Sequence, residues 1–154
     1  MSARRRMKRL LDVRRHEESV ARQAYAVALR REQDAADEVA RERSALEGAQ
    51  QALRSAQGGR LEVARWRSLL ARTGDHETLL AARREVLARR GEERRRAEEA
   101  WRIARQRERS IEKLDERRAE EAARTARRQE QKTLDEVGLR RFANADRGPE
   151  GGVG

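Results

Sequence analysis

No proline occurs in the first 148 residues of this chain, and the only one is Pro149. Nothing in that stretch removes a backbone donor or clashes with the turn before it, so no residue there forces a helix to stop. The stretch is filled mainly by Ala, Arg, Glu, Leu and Gln, side chains that lose little on entering a helix. It is also poor in core material. Leu, Ile, Val and Phe together number 25 of 154 residues, Ala contributes 26, and 43% of the chain is charged. A globular core of normal size needs more large apolar side chains. The combination specifies an all-α chain of long helices that share a thin seam.

The apolar positions and glycines divide the chain. A first helix is predicted over about residues 5–57. Val13, Val20 and Val27 recur at seven with Ala24 between them. The stripe then passes through Ala28, Ala35, Val39, Leu46, Ala49, Leu53 and Ala56 after one phase adjustment. Gly58 and Gly59 end this block in a way helices commonly end. A turn segment over 58–75 contains a short amphipathic stretch with Leu61, Val63, Trp66, Leu69 and Leu70. Thr73, Gly74 and Asp75 read as a second break, with Asp75 as an N-cap. A second long helix follows over about 76–142. Leu80, Leu87 and Trp101 lie on one heptad line with Arg94, and Ala97, Ala104 and Ile111 continue that face with Leu114 beside it. Residues 115–133 are nearly bare of large apolar side chains, and the seam resumes at Leu134, Val137 and Leu139. The Gly-rich tail, 143–154, is expected to be disordered.

Neither helix is stable alone with one thin stripe. At 1.5 Å per residue they would measure about 75 and 100 Å. An antiparallel hairpin buries both stripes within one chain, giving a single two-helix coiled-coil domain with a short helical segment at the turn and a chain that is monomeric when free. A parallel homodimer of one long bent helix is the alternative, and the two glycines and the second break favour the hairpin. The longer second helix is expected to overhang, with the sparse stretch 115–133 depending on a partner.

The charge balance is +10, from 38 Lys and Arg against 28 Asp and Glu, with the signs interspersed. The densest basic run is Arg4, Arg5, Arg6, Lys8 and Arg9. Arg outnumbers Lys 35 to 3, so part of the excess reflects composition, and nucleic acid is not the expected partner. Without cysteine, disulfides, thiolate-bound zinc and thiol catalysis are excluded. No apolar run approaches a membrane span, and no apolar region follows the basic start as in a signal peptide. His16 and His76 are far apart and read as lying on polar faces, and nucleotide-binding, zinc-hydrolase and serine-hydrolase motifs are missing. No enzyme activity, cofactor or metal is expected.

Surfaces for partners remain. Trp66, Leu69, Leu70, Leu79 and Leu80 concentrate apolar area near the turn, where they either pack the short segment back onto the helices or anchor a partner. Trp101 reads as a seam residue, and Tyr25 fits either a seam or a contact role. The end formed by both termini combines the basic run with the polar stretch Gln129–Val137.

These features resemble the FliJ family of flagellar export proteins and their injectisome counterparts. The string Glu130-Gln131-Lys132-Thr133-Leu134-Asp135-Glu136 near the end of a long C-terminal helix carries the resemblance. Trp101-Arg102 with Ile111 and Leu114, Arg65-Trp66, and the opening Leu10-Leu11-Asp12-Val13-Arg14 with Glu17 and Glu18 support it over about residues 5–142. The resemblance implies a non-enzymatic stalk of type III export, cytoplasmic and peripheral at the inner membrane of the flagellar base. Its partners would be the export ATPase hexamer, the cytoplasmic domain of the export gate protein, and export chaperones. It implies that Arg5, Arg6, Lys8, Arg9, Gln131, Lys132, Asp135 and Glu136 face the ATPase ring. Trp66, Leu69, Leu70, Leu79 and Leu80 would lie in or near the gate-binding region. The chain departs from the family in offering Arg72, His76 and Arg83 where more aromatic side chains are usual.

Overall fold

The computed structural model describes residues 2–57 and 62–148. They form two helices, α1 (Ala3–Gln57) and α2 (Val63–Asp146). Gly58, Gly59 and Leu61, where the chain was expected to reverse, and the tail beyond Gly148 lie outside the described residues. Ser2 caps α1: its hydroxyl accepts from the Arg5 amide at 3.3 Å, and its carbonyl accepts from the Arg6 amide at 3.2 Å.

Cross-helix bonds set the direction. Glu42 meets His76, Glu38 meets Arg83, Glu32 meets Arg94, and Glu18 accepts from the Trp101 indole. As the number falls on α1 it rises on α2, so the helices run antiparallel and the chain is an all-α helical hairpin.

The chain divides into two compact units, Asp12–Glu108 and Met1–Leu11 with Arg109–Gly154. Within Asp12–Glu108 both helices keep strict heptad seams. On α1, residues 14, 18, 21, 25, 28, 32, 35, 39, 42, 46, 49, 53 and 56 are all buried or half-buried, in alternating steps of four and three. On α2 the matching line is 66, 69, 73, 76, 80, 83, 87, 90, 94, 97, 101, 104 and 108. Small residues such as Ala35, Ala49 and Ala104 are buried there with Val39 and Leu80, which keeps the helix axes close.

This seam corrects the stripe inferred for the first half of α1. Val13, Val20 and Val27 are each 52% exposed, and Ala24 is exposed. No phase adjustment occurs, because the line of Ala28, Ala35 and Val39 extends backwards through Tyr25, Ala21, Glu18 and Arg14. The valine line is bounded by Arg6 and Asp34 one heptad to either side. The line that packs runs through the whole unit and offers Tyr25 as well as carboxylates that meet α2 bases. This register covers Tyr25 and pairs Glu18, Glu32 and Glu42 across the seam, and it leaves the Arg14 Nε buried without a hydrogen-bond partner.

The expected break at 73–75 is absent, and α2 is helical from Val63 onward. Thr73 is buried on the seam, and its hydroxyl donates to the Leu69 carbonyl at 3.0 Å, which satisfies it without a side-chain partner. No described glycine has positive φ, and space is open around Gly74. An interior glycine costs about 1 kcal/mol relative to alanine. The unbroken packing of Trp66, Leu69, Thr73, His76 and Leu80 outweighs that. The short segment at the turn is therefore the first part of α2, and Asp75 is an exposed interior residue rather than a cap.

In the other unit, the start of α1 packs Met7 and Leu11, 7% and 8% exposed. Ala3, Arg4 and Met7 line one cleft with Asp115, Arg118, Ala119 and Ala122. Beyond Ala122 no described residue of α1 remains to face α2, and every residue from 113 to 148 is exposed. The second helix thus overhangs the first, and the sparse stretch marks where pairing ends.

Candidate partner-binding surfaces

The basic run occupies the first turns of α1, with Arg4, Arg5, Arg6, Lys8 and Arg9 all exposed. The first turn contains no acidic residue. Cations at a helix N-terminus oppose the macrodipole, each by about 0.3–1 kcal/mol. This run therefore does nothing for the helix that carries it.

The string Glu130–Glu136 lies on the unpaired part of α2. Gln131 donates to Asp135 at 3.0 Å, an i,i+4 bond that supports the helix from its own surface. Lys132 and Glu136 are exposed. Leu134 is 66% exposed, and Val137, Leu139 and Phe142 are exposed as well. Arg5, Arg6, Lys8 and Arg9 belong to the same unit as Gln131, Lys132, Asp135 and Glu136. They are not adjacent, because the start of α1 lies against 115–122 of α2.

The apolar cluster near the turn separates into two kinds of residue. Leu80 is buried at 5% exposure, and Trp66 and Leu69 are half-buried on the same seam. These three pack between the helices. Leu70 and Leu79 are exposed, on opposite flanks of the seam.

Three features of the seam were not visible in advance. His76 is on the seam rather than a polar face, and its Nδ1 lies 2.6 Å from a Glu42 carboxylate oxygen. Tyr25 stacks on Trp101 with ring centroids 5.3 Å apart at 20°, and the Arg105 guanidinium sits 5.0 Å above the Trp101 ring. The Trp101 indole donates to Glu18 at 2.9 Å. The third feature is a division of charge: the carboxylates of Glu18, Glu32, Glu38 and Glu42 come from α1, and their partners come from α2. The pair Arg15–Glu108, at 3.9 Å, runs the other way. A spacing argument that admits only apolar seam residues finds Trp101 but misses its Glu18 and Arg105 partners, His76 and the charged pairs.

On the outer face, Arg102 donates two hydrogen bonds to Glu99, which holds the Glu99 carboxyl below the usual range and pushes the guanidinium up. The i,i+4 pairs Glu18–Arg22 and Glu92–Arg96 close at 3.8 Å. No cluster of three or more His, Cys, Asp or Glu that could hold a metal occurs among the described residues. No described helix is long and apolar enough to cross a membrane.

None of the curated proteins and none of the solved structures matches the chain. The family model described as "Flagellar FliJ protein" matches residues 3–147, which covers both helices and both units. Members of that family are non-enzymatic components of flagellar type III export that interact with the export ATPase and the export gate. On this match, with the helical hairpin beneath it, the chain belongs to the flagellar FliJ protein family.

Proposed function

We propose that this chain couples the export ATPase to the export gate as a stalk, with the unit that holds the start of α1 and the end of α2 inserted in the ATPase hexamer. The observation that carries this reading is the unpaired stretch of α2. It displays Gln131, Lys132, Asp135 and Glu136 with Leu134 and Val137 on a helix no other described segment covers. An isolated helix with exposed Leu and Phe gains stability when a cavity surrounds it. Arg5, Arg6, Lys8 and Arg9 extend the same contact toward acidic groups of the ring, which accounts for a basic run that opposes its own helix dipole.

The gate contact uses Leu70 and Leu79 as exposed anchors, with Trp66, Leu69 and Leu80 holding that part of α2 in register. Export chaperones are further partners. The protein works in the cytoplasm and reaches the inner membrane at the flagellar base through these partners.

The test is co-purification with the export ATPase, followed by measurement of its hydrolysis rate. The wild-type chain should bind and raise the rate. Replacing Asp135 and Glu136 with lysine should abolish both effects at unchanged helix content. Normal stimulation by that variant would remove the string from the interface, and no binding by the wild type would sink the reading.

A further inference from the structure

The valines left outside the seam form a surface of their own. Val13, Val20 and Val27 share one line of α1, each 52% exposed, with exposed Ala24 between the last two. Seven-residue steps advance about 10.5 Å, so the line measures about 21 Å. It is not the ordinary scatter of single exposed apolar residues, because it repeats with the period of the seam itself.

The second helix completes it. Val20, Ala24 and Val27 line a groove of about 500 Å³ together with Glu93 of α2. Ala100 stands one heptad beyond Glu93 on the same face, and Ile103, 38% exposed, follows three residues later. The floor is thus apolar along α1, where Ala28 joins the valines, while Gln23, Arg31 and, from α2, Glu93 complete the lining. Small residues at Ala24 and Ala100 leave room for a close third axis.

The rim has a sign. Glu17 is engaged by Arg14 at 2.9 Å, Glu93 by Arg90 at 3.0 Å, and Glu99 by Arg102. Arg31 in the lining, Arg30 beside it and Arg107 on α2 carry no ion pair among the described residues, against one such carboxylate, Asp34, at the end of the valine line. The groove thus presents an apolar floor between unpaired guanidinium groups. A second copy of this chain would bring the same cations against them, which disfavours self-association here.

We propose that this groove in Asp12–Glu108 docks one amphipathic helix of another protein, with heptad-spaced apolar residues on its buried face and Asp or Glu on its flanks, completing a three-helix bundle. The proposal does not depend on the ATPase and gate assignments, and its test uses neither partner.

The probe is a 21-residue peptide with Leu and Ile at heptad seam positions and Glu at the flanking ones, labelled for fluorescence anisotropy and titrated with the full chain. A second peptide carries Lys at the flanks. The Glu peptide should bind, and the Lys peptide should bind at least tenfold more weakly. Val20→Asn with Val27→Asn removes apolar floor without changing charge, and should weaken the Glu peptide at least tenfold. Circular dichroism should show the same helix content, since both side chains are half outside the fold. Arg30→Ala with Arg31→Ala should narrow the difference between the peptides. The proposal is overturned by no binding of the Glu peptide, or by equal binding to the Val20→Asn, Val27→Asn variant. It is also overturned if sedimentation shows a dimer of the chain that those two substitutions dissociate, because the occupant would then be a second copy.

Discussion

The second helix is one continuous element with two different supports. Over 66–108 every seam position is buried or half-buried, down to a buried threonine and a half-buried histidine. Over 123–146 nothing described faces it. Both stretches are rich in Arg and Ala. The contrast shows that helical propensity is uniform along α2 while tertiary stabilisation is not. One stretch is held by its own chain, and the other is helical on propensity and local pairs, each worth about 0.2–0.5 kcal/mol. Such a stretch suits a segment whose stabilisation is completed by a binding partner.

The largest effect should come from the paired part. Trp101→Ala removes a stacked ring and a cation–π contact, and leaves Glu18 without its indole donor. A loss of about 3 kcal/mol is expected, or roughly 6–12 °C in thermal midpoint for a chain of this size. Trp101→Phe keeps the stack and should recover more than half of that. A midpoint unchanged in Trp101→Ala would mean the ring cluster contributes nothing to the seam.

Leu80→Ala comes next, at about 2–3 kcal/mol, because its side chain is almost fully covered. The exposed neighbour Leu79→Ala should change stability by less than about 0.5 kcal/mol. Equal losses at the two positions would contradict the seam assignment. Chemical denaturation of both variants decides it.

The division of charge across the seam gives a smaller and more specific effect. Glu38→Arg places like charges opposite Arg83, and Arg83→Glu places them opposite Glu38. Each pair member is 42% exposed. Each single change should cost about 0.5–1 kcal/mol, and the double exchange should restore most of it. Additive losses in the double variant would show that the pair does not help to define the register.

Smallest of all should be Leu134→Ser in the unpaired stretch, within about 0.5 kcal/mol of the parent. If the stretch enters the ATPase ring, the same change should reduce stimulation severalfold. Amide hydrogen exchange sharpens the comparison: protection should be high over 80–104 and low over 123–146, and should rise in the second stretch when the ATPase is added. Strong protection there in the free chain would break the contrast.

Much of this was legible before the structure. Leu80, Leu87, Trp101, Ala104 and Ile111 were readable as one face, because large or small apolar residues mark it without competition. The line from Ala28 to Ala56 was readable for the same reason. The start of α1 misled because it carries two heptad lines, and the one that looks more apolar, through Val13, Val20 and Val27, is outside. The line that packs includes Arg14, Glu18, Glu32 and Glu42. Glu18, Glu32 and Glu42 become seam members only when α2 supplies Trp101, Arg94 and His76 opposite them. The same holds for Thr73-Gly74-Asp75, which reads as a break by local propensity and remains helical under packing. The division of the turn cluster into seam residues and exposed residues required the register as well.

What the sequence by itself determined is that the chain is helical, that it has a heptad period, and that it has too little apolar volume for a layered core. Each follows from properties that act locally: no proline before Pro149, strong helix formers, and repeats of seven. What only the tertiary structure decided is which of two apolar lines on α1 is inside, that α2 continues through Gly74, and where pairing ends on α2. Those outcomes depend on residues from the other helix. Glu18, Glu32 and Glu42 sit on the seam with Trp101, Arg94 and His76 facing them, and no single stretch of sequence contains both halves of those contacts.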